Sequence, residues 1–261
     1  MGATTGIAWT DSTFNSWWGC TKVGPACDDC YAEGVDKRTG ENHWGHGAPR
    51  RLLSEHARYE PYRWQKNADK FFAEHGRKRR VFTLSMGDLF DNEVPDRWRA
   101  EHFQTMETCD RLHWQICTKR GPQIRKMVPE HWCTGHWPRH VGVLITVVTQ
   151  AEADRDVPRL MEVKKDFNIP WTGVSYEPAQ EGIDFTNHLF GPDGLDWVIF
   201  GGKSGPKWND RPFSVEWGAV AARQCALASK AFFFKQVAAF RPTDAMIPED
   251  LRIRQFPGAL L

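Results

Sequence analysis

Six short apolar runs punctuate the chain, at 81–85, 114–118, 141–148, 171–176, 197–201 and 231–235, each rich in Val, Ile, Phe or Trp. Each reads as a β-strand, and several close on Gly, Pro or a charged residue. Between them lie amphipathic stretches at 59–75, 96–111, 121–130, 151–166 and 214–229, which read as helices. Asp96 and Ser214 are expected N-caps, and Pro95 and Pro122 fall at helix starts. Strands that are apolar almost throughout, alternating with helices, predict a parallel sheet covered by helices. The architectures open to such a chain are a doubly wound sheet or a complete or partial β/α barrel. In all of them ligands gather at the carboxyl ends of the strands.

The residues at those ends are polar or charged, often beside glycine. They are Ser85-Met86-Gly87-Asp88, Thr118-Lys119-Arg120, Thr146 to Gln150, Ser175-Tyr176-Glu177-Pro178, Gly201-Gly202-Lys203-Ser204-Gly205-Pro206 and Phe234-Lys235-Gln236. A ring of Asp88, Lys119, Gln150, Glu177, Lys203 and Lys235 is expected at one mouth, suited to a polar ligand. The glycine run at 201–205 is no phosphate loop, because it lacks the leading glycine and Pro206 stands where a helix should open.

Composition changes this picture little. The 261 residues are 41% hydrophobic, and 34 Lys and Arg balance 33 Asp and Glu. That near-neutrality neither requires nor excludes a nucleic-acid partner. No apolar run is long enough to span a bilayer, and the first residues do not read as a signal peptide, so a cytoplasmic protein without a membrane partner is expected. Thiols stay reduced there, and clustered cysteines are more often ligands than disulfides. Among the thirteen tryptophans, Trp44, Trp132 and Trp137 sit in loop-like stretches, where they either stack on bases or plug the loops.

The sharpest chemistry is Cys20, Cys27 and Cys30, spaced C-x6-C-x2-C. Three thiolates leave one coordination position open on a zinc ion or an iron–sulfur cluster. No second C-x2-C follows, although His43 and His46 are near enough in sequence to complete a zinc site. Cys117 reads as a small core residue.

Together these residues resemble a phage and bacterial family of radical-SAM-like proteins with a three-cysteine motif. The resemblance runs from Ile7-Ala-Trp9-Thr10-Asp11 and Gly19-Cys20 through Cys27, Cys30-Tyr31-Ala32-Glu33 and the strand ends above to Phe233-Phe234-Lys235-Gln236. It implies one α/β domain over 1–261, a partial (β/α) barrel of the radical-SAM type with parallel strands and helices outside. The cluster loop would be 19–31, with a Gly-, His- and Trp-rich insertion at about 39–51. It further implies a [4Fe-4S] cluster on Cys20, Cys27 and Cys30. S-adenosylmethionine (SAM) would chelate the open iron and be cleaved to a 5′-deoxyadenosyl radical, with electrons from an external donor. Ser85, Gly87 and Asp88 would meet the amino or methionyl end of SAM. Lys119, Thr146, Ser175 and Glu177 would hold its ribose or carboxylate, and Lys203 and Lys235 would engage the substrate. Two positions depart from the pattern: Asp29 stands where an aromatic residue usually precedes the last cysteine, and Lys203 stands where an acidic one is usual.

For a substrate, the basic runs at 76–80 and 49–51 together with Trp44 point to DNA. The expected reaction is a rearrangement or isomerisation on a hypermodified thymidine of phage DNA in the host cytoplasm, after base flipping. The alternatives are the same chemistry on a free nucleotide or protein side chain, or a non-catalytic zinc-binding nucleic-acid module.

Overall fold

A computed structural model of the chain describes residues 4–28 and 30–261. The expectations placed on the first residues and on Asp29 lie outside the described residues. Seven parallel strands form one sheet: β1 (Ser12–Phe14), β4 (Arg79–Thr83), β5 (Leu112–Thr118), β6 (Val141–Thr146), β7 (Thr172–Tyr176), β8 (Trp197–Gly201) and β9 (Ala231–Gln236), in that spatial order. A short antiparallel pair, β2 (Trp17–Trp18) with β3 (Arg51–Leu52), ties the segment before Cys20 to the far end of the 39–51 insertion.

The expected strands are present within a few residues of their predicted bounds. β1 was not foreseen, because Ser-Thr-Phe is too short and too polar to read as an apolar run. Helices α5 (Asp96–Thr108), α7 (Gln150–Phe167) and α9 (Val215–Leu227) match the amphipathic stretches. Ser214 caps α9, accepting from the Glu216 amide at 3.1 Å. Pro95, not Asp96, occupies the cap position of α5. The stretch 59–75 is not one helix but follows α2 (Glu55–Arg58) as α3 (Glu60–Lys66) and α4 (Ala68–His75). Pro61 enters at a helix start, where its missing N–H costs nothing, and Asn67 leaves helical geometry between the two segments. The stretch 121–130 shortens to a 3-10 turn and α6 (Ile124–Met127).

The sheet is curled. Phe82 on β4 and Trp197 on β8 would stand ~19 Å apart across four flat strand spacings. Both rings instead pack on Trp9, at centroid distances of 4.8 and 6.2 Å. The result is a half-barrel with helices outside. Because strand side chains alternate, Val143, Ile145, Val198, Phe200, Phe232 and Phe234 face the outer core beneath the helices. Leu144, Trp197, Ile199 and Phe233 face inward with Trp9, Trp171 and Leu260 and fill the floor. The carboxyl terminus closes the amino end of the half-barrel. There the Leu260 carbonyl accepts from Arg80, whose guanidinium lies 3.5 Å over the Phe256 ring.

Candidate active site

Alternation along the strands decides which residues reach the mouth. One step beyond the inward-facing floor residues come Cys117 on β5, Thr146 on β6, Ser175 on β7 and Lys235 on β9. All of them line one cavity of about 400 Å³ at the carboxyl ends. The same cavity is lined by Cys20, Cys27 and Cys30, by Ser85, Gly87 and Asp88 after β4, by Lys119 after β5, by Glu177 after β7 and by Lys203 after β8. The three cysteines and the nine strand-end residues assigned to SAM or substrate therefore face one space. Gln150, expected in the ring, does not; it begins α7 and bonds to Glu181 and Asp184 on the outside.

The cysteine loop is docked by backbone geometry. The Gly19 amide donates to the Met86 carbonyl at 3.0 Å, and Gly19 pairs with Gly87 as an isolated bridge. Gly19 has φ +112°, and a Cβ there would lie 2.4 Å from the His43 carbonyl oxygen, so no other residue fits. Asn15 clasps the following turn, accepting from the Met86 amide at 2.7 Å and donating to Ser85 Oγ at 3.1 Å. A buried ionic group then holds the loop: Arg50 Nε lies 2.8 Å from Asp91, Arg120 lies 3.3 Å from the other Asp91 oxygen, and both guanidinium groups reach Thr21. Neither Arg50 nor Asp91 was distinguishable in the sequence from an ordinary surface charge, and Arg120 appeared only as part of a strand end.

Asp88 binds inward. Its carboxylate accepts from Thr118 Oγ1 at 2.8 and 3.0 Å and from the amides of Phe90 and Lys119. It thus joins the ends of β4 and β5, and burial raises its pKa against those bonds. Burial likewise pushes the Cys20 thiol up to about 12; Asp88 and Asp91 add to this and Arg120 opposes it. Lys119 is exposed just beyond the end of β5, and its side chain opens onto the cavity. Desolvation works against its charge, but Cys117, Cys30, Cys27 and Asp88 outweigh it and raise its pKa. The substrate candidates are both paired: Lys235 lies 2.9 Å from Glu177, and Lys203 lies 2.9 Å from Asp210. Cys117 packs against the inner core cluster, as expected of a small core residue, but is only half-buried and also lines the cavity, 3.7 Å from Thr146 Oγ1.

The histidines offered for zinc are engaged elsewhere. His43 is buried on Asp36, with Nδ1 2.7 Å from its carboxylate, and His46 pairs with Glu93. Among the described residues no group of three or more His, Cys, Asp or Glu converges on a point that could hold a single metal ion.

The hints of nucleic-acid binding also change. Arg77 pairs with Asp11, and Arg79 stacks on Phe71 with its guanidinium 4.3 Å from the ring. With Arg80 they stand at the amino end of the sheet, opposite the cavity. Arg50 is internal, and Arg51 pairs with Glu41 over the Trp18 ring. Trp132 and Trp137 are buried and pack on each other, whereas Trp44 does line the cavity. Among the described residues no helix is long and apolar enough to cross a membrane.

A family described as "Protein of unknown function (DUF5131)" matches residues 4–258. The chain belongs to the DUF5131 family. No curated protein matches this DUF5131 chain. Among solved structures it is similar to a mutant spore photoproduct lyase with bound AdoMet and a dinucleoside spore photoproduct. The identity is 11% and the TM-score 0.42, over 81% of this chain and 60% of that one.

Proposed function

We propose that this chain is a radical SAM enzyme whose cluster and SAM occupy the cavity at the strand ends. The observation that carries the reading is the convergence of Cys20, Cys27 and Cys30 with nine strand-end residues named from the sequence on one concave space. The donor set suits a cluster better than one ion. Around a single zinc, thiolates stand about 3.8 Å apart. Cluster irons each take their own thiolate and hold the sulfurs further apart, and three thiolates leave one iron for a small molecule. When bound, such a cluster supplies the electron that splits SAM into methionine and a 5′-deoxyadenosyl radical.

The chain's own groups then have definite tasks. Lys119 offers a cation to an anionic group in the cavity. Ser85, Thr146 and Ser175 offer hydroxyls for polar contacts, and the Glu177–Lys235 pair stands where a substrate would be oriented. Trp9, Phe82 and Leu84 give the cavity an apolar wall that keeps water from reactive species. For the substrate the reading is a modified thymidine of phage DNA, flipped into the mouth. Tyr31 and Trp44 support it as aromatic groups lining the mouth on which a base could stack. The test is reductive SAM cleavage under anaerobic conditions, with 5′-deoxyadenosine measured with and without single-stranded DNA carrying a hypermodified thymidine. Release abolished by Cys→Ala at 20, 27 or 30 supports the chemistry, and stimulation by the DNA but not the mononucleotide supports the substrate. No release from an iron-loaded protein contradicts the reading.

A further inference from the structure

Arg120 is the second residue beyond β5, and its amide donates to Thr118 Oγ1 at 2.9 Å, which fixes where the side chain leaves the sheet. From there Nη2 reaches three groups of other elements. It donates to the Thr21 carbonyl at 2.7 Å, lies 3.3 Å from Asp91 Oδ1, and lies 3.9 Å from the sulfur of Cys20. The Arg120 side chain is only 8% exposed and that of Asp91 1%. Asp91 is held in turn by Arg50 at 2.8 Å. Nε of the Arg120 guanidinium is buried with no hydrogen-bond partner among the described residues. Among the described bonds neither Cys27 nor Cys30 accepts from a side-chain cation, although the Lys119 charge acts on both; the Cys27 sulfur meets the Val23 amide at 3.5 Å. The three thiols are thus unequal, and one is gripped by a buried, braced guanidinium.

We infer that Arg120 is a positioning residue for Cys20: it pins the 20–21 backbone and donates toward the Cys20 sulfur, biasing the electron affinity of whatever cluster that sulfur holds. A hydrogen bond to a ligating sulfur stabilises the more negative, reduced state and so raises the potential. The redox half of this inference rests on the radical SAM reading; the backbone half does not.

The experiment uses Arg120→Met and Arg120→Lys beside the unaltered protein. Lysine keeps the charge but cannot reach Asp91, Thr21 and Cys20 together. Hydrogen exchange followed by mass spectrometry on the metal-free proteins reads the backbone. Exchange of the 19–23 segment should rise severalfold in both variants while the β6 and β8 amides keep their protection. On cluster-loaded proteins an EPR-monitored reductive titration should show the midpoint moving to more negative potential, furthest in Arg120→Met. Unchanged exchange at 19–23, or an unchanged midpoint, overturns the inference. If the unaltered protein binds no iron, the radical SAM reading has failed, and the exchange experiment still decides the positioning role by itself.

Discussion

Arg50→Met is the most demanding test of how the cysteine loop is held. The Arg50 side chain is 1% exposed and ion-paired at 2.8 Å with Asp91, itself 1% exposed. The same guanidinium donates to the carbonyls of His43, Gly45 and Ala48 at 3.2, 3.2 and 2.8 Å and to Thr21 Oγ1 at 2.5 Å. Methionine fills much of the volume but satisfies none of these acceptors, and it leaves Asp91 with Arg120 alone as a cationic partner. Removing one member of a buried pair costs about 3–5 kcal/mol. That is a large share of the roughly 5–15 kcal/mol by which a domain is stable. With a urea dependence of about 3 kcal/mol/M, the unfolding midpoint should fall by about 1–1.7 M. The assay is urea unfolding followed by tryptophan fluorescence. Asp91→Asn in the same chain should recover part of the loss, giving a coupling energy of at least about 1 kcal/mol. A midpoint shift under about 0.3 M, or strict additivity of the two substitutions, would refute the claim that this pair anchors the insertion to the loop.

Three further outcomes follow from the packing and the charges. His102 is buried between Ser16 Oγ at 2.7 Å and Thr83 Oγ1 at 2.5 Å, and burial lowers its pKa to about 3. Its neutral form is the folded form, so its contribution is full above the ordinary pKa of 6.5 and is lost as pH falls toward 3. That amounts to about 2 kcal/mol by pH 5, and His102→Gln should flatten stability between pH 6.5 and 5 by that amount; an unchanged slope in urea titrations would sink the assignment. Gly142→Ala places a Cβ 1.8 Å from the Trp171 ring. It should cost at least about 1–3 kcal/mol in thermal unfolding, with part of the loss relieved by Trp171→Leu; a neutral Gly142→Ala would contradict the packing. Lys235→Met should leave iron content intact while cutting product formation roughly tenfold or more; loss of iron instead would make Lys235 a structural residue.

Much of this arrangement was legible because two independent regularities in the chain agree. Apolar runs such as 197–201 are buried on both faces and announce themselves by composition alone. The residues just after them lie at one end of a parallel sheet by topology, which is why Ser85, Lys119, Glu177 and Lys235 share a cavity despite their separation in sequence. What the chain concealed depends on partners distant in sequence. Arg77, Arg79 and Arg80 read as a solvated or phosphate-binding run, yet Asp11, Phe71 and Phe256 each claim one of them. Arg50 reads as part of a loose Gly-rich insertion, but Asp91, more than forty residues on, makes it a buried staple. Cys117 reads as core from its apolar neighbours and does pack on the inner cluster, but only the β5 alternation, which turns Ile116 the other way, reveals that it also lines the cavity. The break of 59–75 into two helices turns on Asn67, which fits a helical period as well as its neighbours do.

The central claim concerns what Cys20, Cys27 and Cys30 hold, and anaerobic purification with iron, sulfide and zinc analysis tests it most directly. The account predicts a brown protein with about four irons and four sulfides per chain, a broad visible absorption shoulder bleached by dithionite, and loss of both elements in each Cys→Ala variant. A colourless protein carrying one zinc, or iron retained after all three cysteines are replaced, would contradict it.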